Sequence, residues 1–247
     1  MGDGNLFLVL EYRPQLLMKP VNEIQPTAPG NGTEIPTATG HQAKIAPRWA
    51  AIIGILTLGV LYALLPNRLR IVPGWSLLAI EIVLLLPVVL LWITHRTLTH
   101  KAVRMLSLVI LGVVTLALAS GVILLVINLP GNTHPKTLLP SAGLLWCFNV
   151  IVFALWYWEV DGGGPLKRHL AGHQAADFMF PQQVNGNDGT WAPHFLDYLF
   201  LAFTAATALS PADTYPLTRL AKTLMMIEAL LSMVIILLLA ARAVNII

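Results

Sequence analysis

Long apolar runs separated by short polar segments fill the chain from Trp49 onward. A helix needs roughly 20 apolar residues to cross the hydrocarbon core of a bilayer, which is about 30 Å thick. The pattern therefore predicts an all-α, polytopic transmembrane helix bundle with four N-terminal spans and a long C-terminal helix. The predicted spans are residues 49–65, 75–93, 106–129 and 144–158, and the C-terminal apolar run covers residues 217–247.

The region between these spans and the C-terminal helix departs from the pattern. Residues 159–193 are rich in Gly, His, Asn and Asp, which is too polar for a span. Residues 195–209 are apolar, but at about 1.5 Å per residue they reach only about 22 Å. The polar run ALSPADTYP, residues 208–216, begins at their end. The short run predicts either a re-entrant helix or a further span in a locally thinned bilayer.

Composition supports a membrane protein. The 247 residues are 56% hydrophobic and 11% charged, whereas a soluble domain of this size needs more charge to cover its surface. The lipid bilayer is thus the expected partner. The net charge of +3 comes from Lys and Arg that flank apolar runs, where they orient helices, so nucleic acid binding is not expected. Residues 1–47, rich in Pro, Thr, Gly and Asn over their second half, are predicted to form a flexible tail.

The polar run and the apolar stretch before it resemble the pore module of tetrameric potassium channels. The family pattern aligns without a gap at Asp197, Phe200, Phe203, Thr207, Asp213 and Pro216. Residues 48–143 then form a three-helix segment, and residues 144–247 form the pore module. The resemblance implies an outer helix, a turret at 159–193, a re-entrant pore-like helix at 195–209, a loop at 210–215 and an inner helix at 216–247. It also implies a homo-oligomer of four copies that has inorganic cations as partners.

The filter positions differ from those of potassium channels, which carry Thr-Val-Gly-Tyr-Gly. This chain has Ala208, Leu209, Ser210, Pro211 and Ala212. A potassium filter directs successive backbone carbonyls at the axis and uses glycine for positive φ. Pro211 fixes φ near −65° and Ala212 carries a Cβ, so this carbonyl ladder is not expected. Two functions stay open: an ion pathway not selective for potassium, or a non-conducting scaffold or partner subunit.

The chain also resembles a family of uncharacterised bacterial integral membrane proteins. The shared features are a D-[YF]-L-[YF]-x-[AS]-F-T core, matched from Asp197 to Thr204, a polar S-x-x-D loop and a glycine-rich segment before them. This resemblance implies a multi-pass protein of the bacterial inner membrane. It implies no activity, and no arrangement of catalytic residues is present, so an enzyme is not expected.

Several polar residues are candidate functional groups, each with a structural alternative. Glu81 and Glu228 lie within apolar runs, where an ionisable group either serves function or bonds a neighbouring helix. For Glu228 the resemblance implies a bond to the backbone near Thr207. Asp213 either contributes to a ring of carboxylates or caps the inner helix. Thr204 and Thr207 either line a pore or bond to carbonyls of their own helix.

The histidines of the polar segment offer only a weak metal site. His169 and His173 are spaced i, i+4, but the pair has no established partner. The same polar segment holds Asp161, Asp177 and Asp188, and His194 directly follows it. No cofactor and no metal are therefore expected.

The charge pattern conflicts with a re-entrant helix. A re-entrant helix at 195–209 in the orientation of potassium channels puts the N-terminus outside the cell. The positive-inside rule puts it in the cytoplasm. The cations that favour the cytoplasm are Lys44, Arg48, Arg96, Lys101 and Arg104, against Arg68, Arg70 and Lys136 on the other side.

Overall fold

The computed structural model describes residues 49–93, 100–128, 135–187, 191–207 and 213–244. The predicted N-terminal tail and the loop residues Ala208 to Ala212 lie outside these ranges. The described part is mostly helical, as the sequence predicts. Its helices are α1 (Trp49–Leu64), α2 (Gly74–Ile93), α3 (His100–Ile127), α4 (Pro135–Val160), α5 (Pro165–Leu170), α6 (Phe195–Ala206) and α7 (Arg219–Val244). Two short strands, β1 (Phe178–Met179) and β2 (Tyr215–Pro216), pair antiparallel.

Within the described residues, three helices are long and apolar enough to cross a membrane. They cover Ala102–Ile127 of α3, Leu139–Gly163 at α4, and Arg219–Ala241 of α7. This supports a membrane protein. Of the four predicted N-terminal spans, the third and fourth reach this length within the residues whose side chains the structure describes. Helix α1, the Gly74–Leu86 part of α2, and α6 are apolar but shorter.

Helix α4 is the centre of the described bundle. It packs against α1, α3, α6 and α7. Because neighbours surround it, its apolar residues are buried on several faces rather than along one stripe. Leu145, Val152, Ala154 and Tyr157 are completely buried. Helix α4 begins at Pro135, nine residues before the predicted start at residue 144.

Helices α6 and α7 both begin at the C-terminal end of α4 and run back along it. In α6 the ring of Phe195 lies 6.1 Å from that of Trp158, and the ring of Phe203 lies 5.7 Å from that of Trp146, three turns earlier in α4. In α7 Glu228 contacts Tyr157, and further along the helix Ser232 contacts Asn149. The chain that leaves α6 therefore returns to the end of the bundle at which α6 started.

A polar cap covers this end of the bundle. We use the name cap for residues 161–187 together with residues 213–218. In the cap, Phe178 pairs with Pro216 and Met179 with Tyr215. The resemblance predicted that the inner helix starts at residue 216, but Pro216 lies in β2 and α7 starts at Arg219. The predicted pore-like helix also ends earlier, at Ala206 instead of residue 209.

Helices α1 and α2 touch at a glycine. A Cβ built on Gly59 of α1 would lie 2.9 Å from the Cα of Leu78 in α2, and it would also overlap the carboxyl group of Glu81. Backbone cannot move aside as the end of a side chain can. Gly112 in α3 has open space around the same position, with nothing within 4 Å.

We predict that Gly59→Ala lowers the free energy of unfolding by about 1–3 kcal/mol, because an added methyl overpacks the α1–α2 contact. Gly112→Ala is the matched control, since it makes the same change in a helix without a steric neighbour. Thermal unfolding of both purified variants in one detergent measures the difference. Equal midpoints for the two variants would contradict the close packing of α1 on α2.

Candidate functional site

Asp161, at the C-terminal end of α4, joins three parts of the chain. Its carboxylate accepts a hydrogen bond from the Tyr198 hydroxyl of α6 at 2.5 Å. It also accepts the backbone N–H groups of Asp177 at 3.0 Å and Phe178 at 3.1 Å. The side chain is buried. The end of α4, the start of β1 and the first turn of α6 are therefore fixed on one carboxylate.

Arg168 of α5 is the cation that faces this carboxylate. Its Nε lies 3.9 Å from Asp161 Oδ2, and both side chains are only 3% exposed. Its Nη1 donates to the carbonyls of Trp158 and Asp161 at 2.6 Å each. The guanidinium carbon lies 5.0 Å from the ring centroid of Trp158 and 5.1 Å from that of Tyr198. A planar, delocalised cation suits this position because it can pair with a carboxylate and stack on aromatic faces at the same time.

Asp177 extends the connection to α7. Its carboxylate accepts the Thr218 hydroxyl at 2.7 Å and the backbone N–H of Gly162 at 2.9 Å. Its backbone carbonyl accepts the N–H of Leu217 at 2.8 Å. Gly162 has φ +58°, a conformation that favours glycine. The Thr218 oxygen in turn accepts the N–H of Ala221 at 3.2 Å and so caps α7.

We call Asp161, Arg168, Asp177, Tyr198 and Thr218 the Asp161 network. It fixes the starts of α6 and α7 against the end of α4, and so determines where the segment between those helices ends. The sequence pointed to Asp161 and Asp177 only as neighbours of the histidines. Arg168 and Tyr198 were not singled out, because nothing local in the sequence shows that they meet Asp161, which is 7 and 37 residues away.

A second buried polar cluster joins α4 to α7. The Tyr157 hydroxyl donates a hydrogen bond to the Glu228 carboxyl group. The Asn149 amide donates to Ser232 Oγ at 2.8 Å and to the Glu228 backbone carbonyl at 3.4 Å. Within the described residues, Glu228 makes no bond to the backbone near Thr207, the partner that the resemblance implies. These bonds agree with a structural role for Glu228. Its side chain bonds to Tyr157 of α4.

The other predicted site residues are dispersed. Glu81 is 1% exposed, and it lies at the α1–α2 contact beside Gly59, outside the α4–α6–α7 group. The hydroxyl of Thr204 donates to the Leu201 carbonyl at 2.9 Å, and that of Thr207 donates to the Phe203 carbonyl at 2.8 Å. Both threonines therefore bond within their own helix. Asp213 is exposed in a turn, and α7 is capped by Thr218 instead.

The paired histidines of the polar segment lie side by side in the cap. His169 Nδ1 and His173 Nε2 lie 3.2 Å apart. Among the described residues, no group of three or more His, Cys, Asp or Glu side chains is placed to hold a metal ion. His173 is buried with φ +54°, and its carbonyl accepts hydrogen bonds from Gln183 and Asn187. The pair belongs to the packing of the cap.

We predict that Arg168→Ala lowers the free energy of unfolding by about 3–5 kcal/mol, because it leaves the buried Asp161 carboxylate without its cation. Lys222→Ala is the control, since Lys222 is an exposed cation on α7. Thermal or denaturant unfolding in detergent measures both. A loss for Arg168→Ala no larger than for Lys222→Ala would show that the Asp161 network does not stabilise the fold.

We predict that stability falls as pH decreases below about 6.5, the ordinary pKa of histidine. Burial, followed by the nearby His169 and Arg168, lowers the pKa of His173. A base whose folded-state pKa is lowered contributes its full stability above its unfolded pKa and loses it as pH falls through the folded pKa. His173→Asn removes the titration and tolerates the positive φ. A pH series of unfolding midpoints is expected to be flatter for this variant; parallel curves would exclude His173 as the cause.

Comparisons of the chain with models of protein families, with curated proteins and with solved structures found no match.

Proposed function

We propose that this protein is a multi-pass protein of the cell membrane whose C-terminal half is a channel-like pore module. Four copies enclose an ion pathway that is not selective for potassium. The observation that carries the proposal is the common starting point of α6 and α7 at one end of α4. Helix α6 has 12 residues and a length of about 18 Å, too short for a hydrocarbon core of about 30 Å. A re-entrant helix accounts for both facts.

Packing around α4 supports the same arrangement. Helix α4 takes the position of an outer helix and α7 that of an inner helix, with α6 packed against both. Helices α1 and α2 pack on one another, and α1 packs on α4. In this proposal α1 and α2 also cross the membrane, and tilt or local thinning of the bilayer accommodates their length.

Exposed apolar side chains on α6 support an oligomer. Leu196, Phe200 and Phe203 are 70%, 62% and 41% exposed and follow one face of the helix. In α7, Leu230 and Leu237 are 61% and 58% exposed. A re-entrant helix next to an aqueous loop needs neighbours to cover such a face, because its apolar side chains would otherwise be exposed to water. Further copies of the chain around a common axis would cover it.

In this arrangement, Asp213 is the residue that attracts cations. It is exposed and follows directly on residues 208–212, the filter position of the resemblance. Four copies would bring four carboxylates around the axis, which attracts cations. The sequence of residues 208–212 lacks the glycines of a potassium filter, so the pathway is expected to discriminate weakly among monovalent cations.

A non-conducting scaffold or partner subunit is the second candidate. The threonine hydroxyls favour it, since Thr204 and Thr207 donate to carbonyls of α6 and are already engaged. The α4–α7 cluster around Glu228 likewise serves helix packing. A scaffold of this kind keeps the arrangement of a pore module for its interface with other membrane proteins.

We predict that purified protein in planar bilayers carries cation currents with similar permeability to K⁺ and Na⁺. Asp213→Asn is expected to reduce cation conductance several-fold, because it removes four charges from the mouth of the pathway. Asp213→Glu keeps the charge and is the matched control, with conductance near that of the parent chain.

Two results would contradict the ion pathway. Persistent absence of current under varied ions, voltage and pH would leave the scaffold as the function. A monomer or dimer in detergent, measured by light scattering on the eluting protein, would exclude a four-fold pore, because one short helix and loop per chain cannot close it.

A further inference from the structure

A cavity of about 390 Å³ lies between α1, α2, α3 and α4, at the end of the bundle that carries the cap. The turn from Gly163 to Lys167 forms its polar edge. Sites for small ligands have volumes of roughly 300–1,000 Å³, so the cavity has room for part of a lipid or a small organic molecule. Neither the Asp161 network nor the proposed ion pathway uses it.

Most of the cavity wall is apolar. The wall residues on which the argument rests are Ala51, Ile55, Leu85, Ile110, Leu111 and Leu155. They come from all four helices. An apolar wall among membrane helices favours a hydrocarbon chain over a polar solute.

Two cations meet at the polar edge. A Cβ built on Gly163 would lie 3.5 Å from Arg104 Nη1 and 3.6 Å from Lys167 Nζ, so both cationic groups converge on one glycine. The Arg104 Nε is buried and makes no hydrogen bond within the described residues. Glu159 also lines the cavity, so two cations and one carboxylate leave this edge with a net positive charge. Converging like charges are stabilised by an anion bound between them.

We propose that this cavity binds an anionic phospholipid of the surrounding membrane. One acyl chain occupies the apolar part, and the phosphate lies between Arg104 and Lys167. Basic pockets between transmembrane helices bind anionic head groups in this way. Trp158 and Glu159 also line the cavity, and an aromatic residue beside a charged one is typical of the membrane–water boundary, the depth at which a phosphate lies. A free phosphate would leave the apolar part unused, and a neutral lipid would leave the cations unused.

The test compares binding of phosphatidylglycerol and phosphatidylcholine with identical acyl chains to delipidated full-length protein, by native mass spectrometry. We expect tighter binding of phosphatidylglycerol. The double variant Arg104→Gln/Lys167→Gln is expected to weaken that binding by about tenfold or more and to leave phosphatidylcholine unchanged. The control Arg68→Gln/Lys222→Gln removes two exposed cations outside the cavity and is expected to have no effect. Circular dichroism confirms that each variant stays folded.

A third variant tests the apolar part. Ala51→Leu narrows the cavity without touching either cation, and we expect it to weaken phosphatidylglycerol binding as well. Equal binding of the two lipids, or unchanged binding by Arg104→Gln/Lys167→Gln, would overturn the proposal. Inorganic phosphate that competes as strongly as a soluble short-chain phosphatidylglycerol would also overturn it, since the site would then bind an anion alone. None of these results depends on whether the protein conducts ions.

Discussion

The burial of the Asp161 carboxylate is the constraint on which the arrangement of the C-terminal half depends. A buried charge is costly unless it is paired and hydrogen-bonded, and this one is satisfied only when several segments meet. Arg168 supplies the opposite charge, Tyr198 supplies a hydroxyl, and the backbone of β1 supplies two N–H groups. If any one of these segments moves away, the carboxylate loses a partner. The cap and α6 are therefore held in place together.

The same constraint places the starts of α6 and α7 at one end of α4. Tyr198 fixes the first turn of α6, and Asp177 fixes Thr218 at the start of α7. The starts of α6 and α7 are thus held at one end of α4, and the chain that leaves α6 beside Trp146 returns to that end. The Glu228–Tyr157 bond then holds α7 along α4 further down.

Hydropathy predicted α3, α4 and α7, because the length of an apolar run is a local property of the sequence. The short apolar run also predicted α6 as a separate element. The contacts of the site were not predictable in this way. Asn149 and Ser232 are 83 residues apart, and nothing local in an apolar run shows that they meet. The resemblance placed the start of the inner helix at Pro216, but pairing with Phe178 holds Pro216 in a strand, and Asp177 selects Thr218 as the cap.

The distribution of charge bears on the orientation of the bundle in a membrane. The cap end carries Arg104 and Lys167 beside the cavity, whereas Arg68 lies at the other end of α3, where its carbonyl accepts the amide of Asn128. A full crossing by residues 195–209 would put both ends of the chain in the cytoplasm, in agreement with the charges. The proposed re-entrant arrangement, which the common start of α6 and α7 supports, leaves the charges in conflict with the orientation of potassium channels. The positive-inside rule then favours a cytoplasmic cap. The likeness to potassium channels would in that case extend to the order and packing of helices but not to their direction, and the two cations of the cavity would face the leaflet richer in anionic lipid.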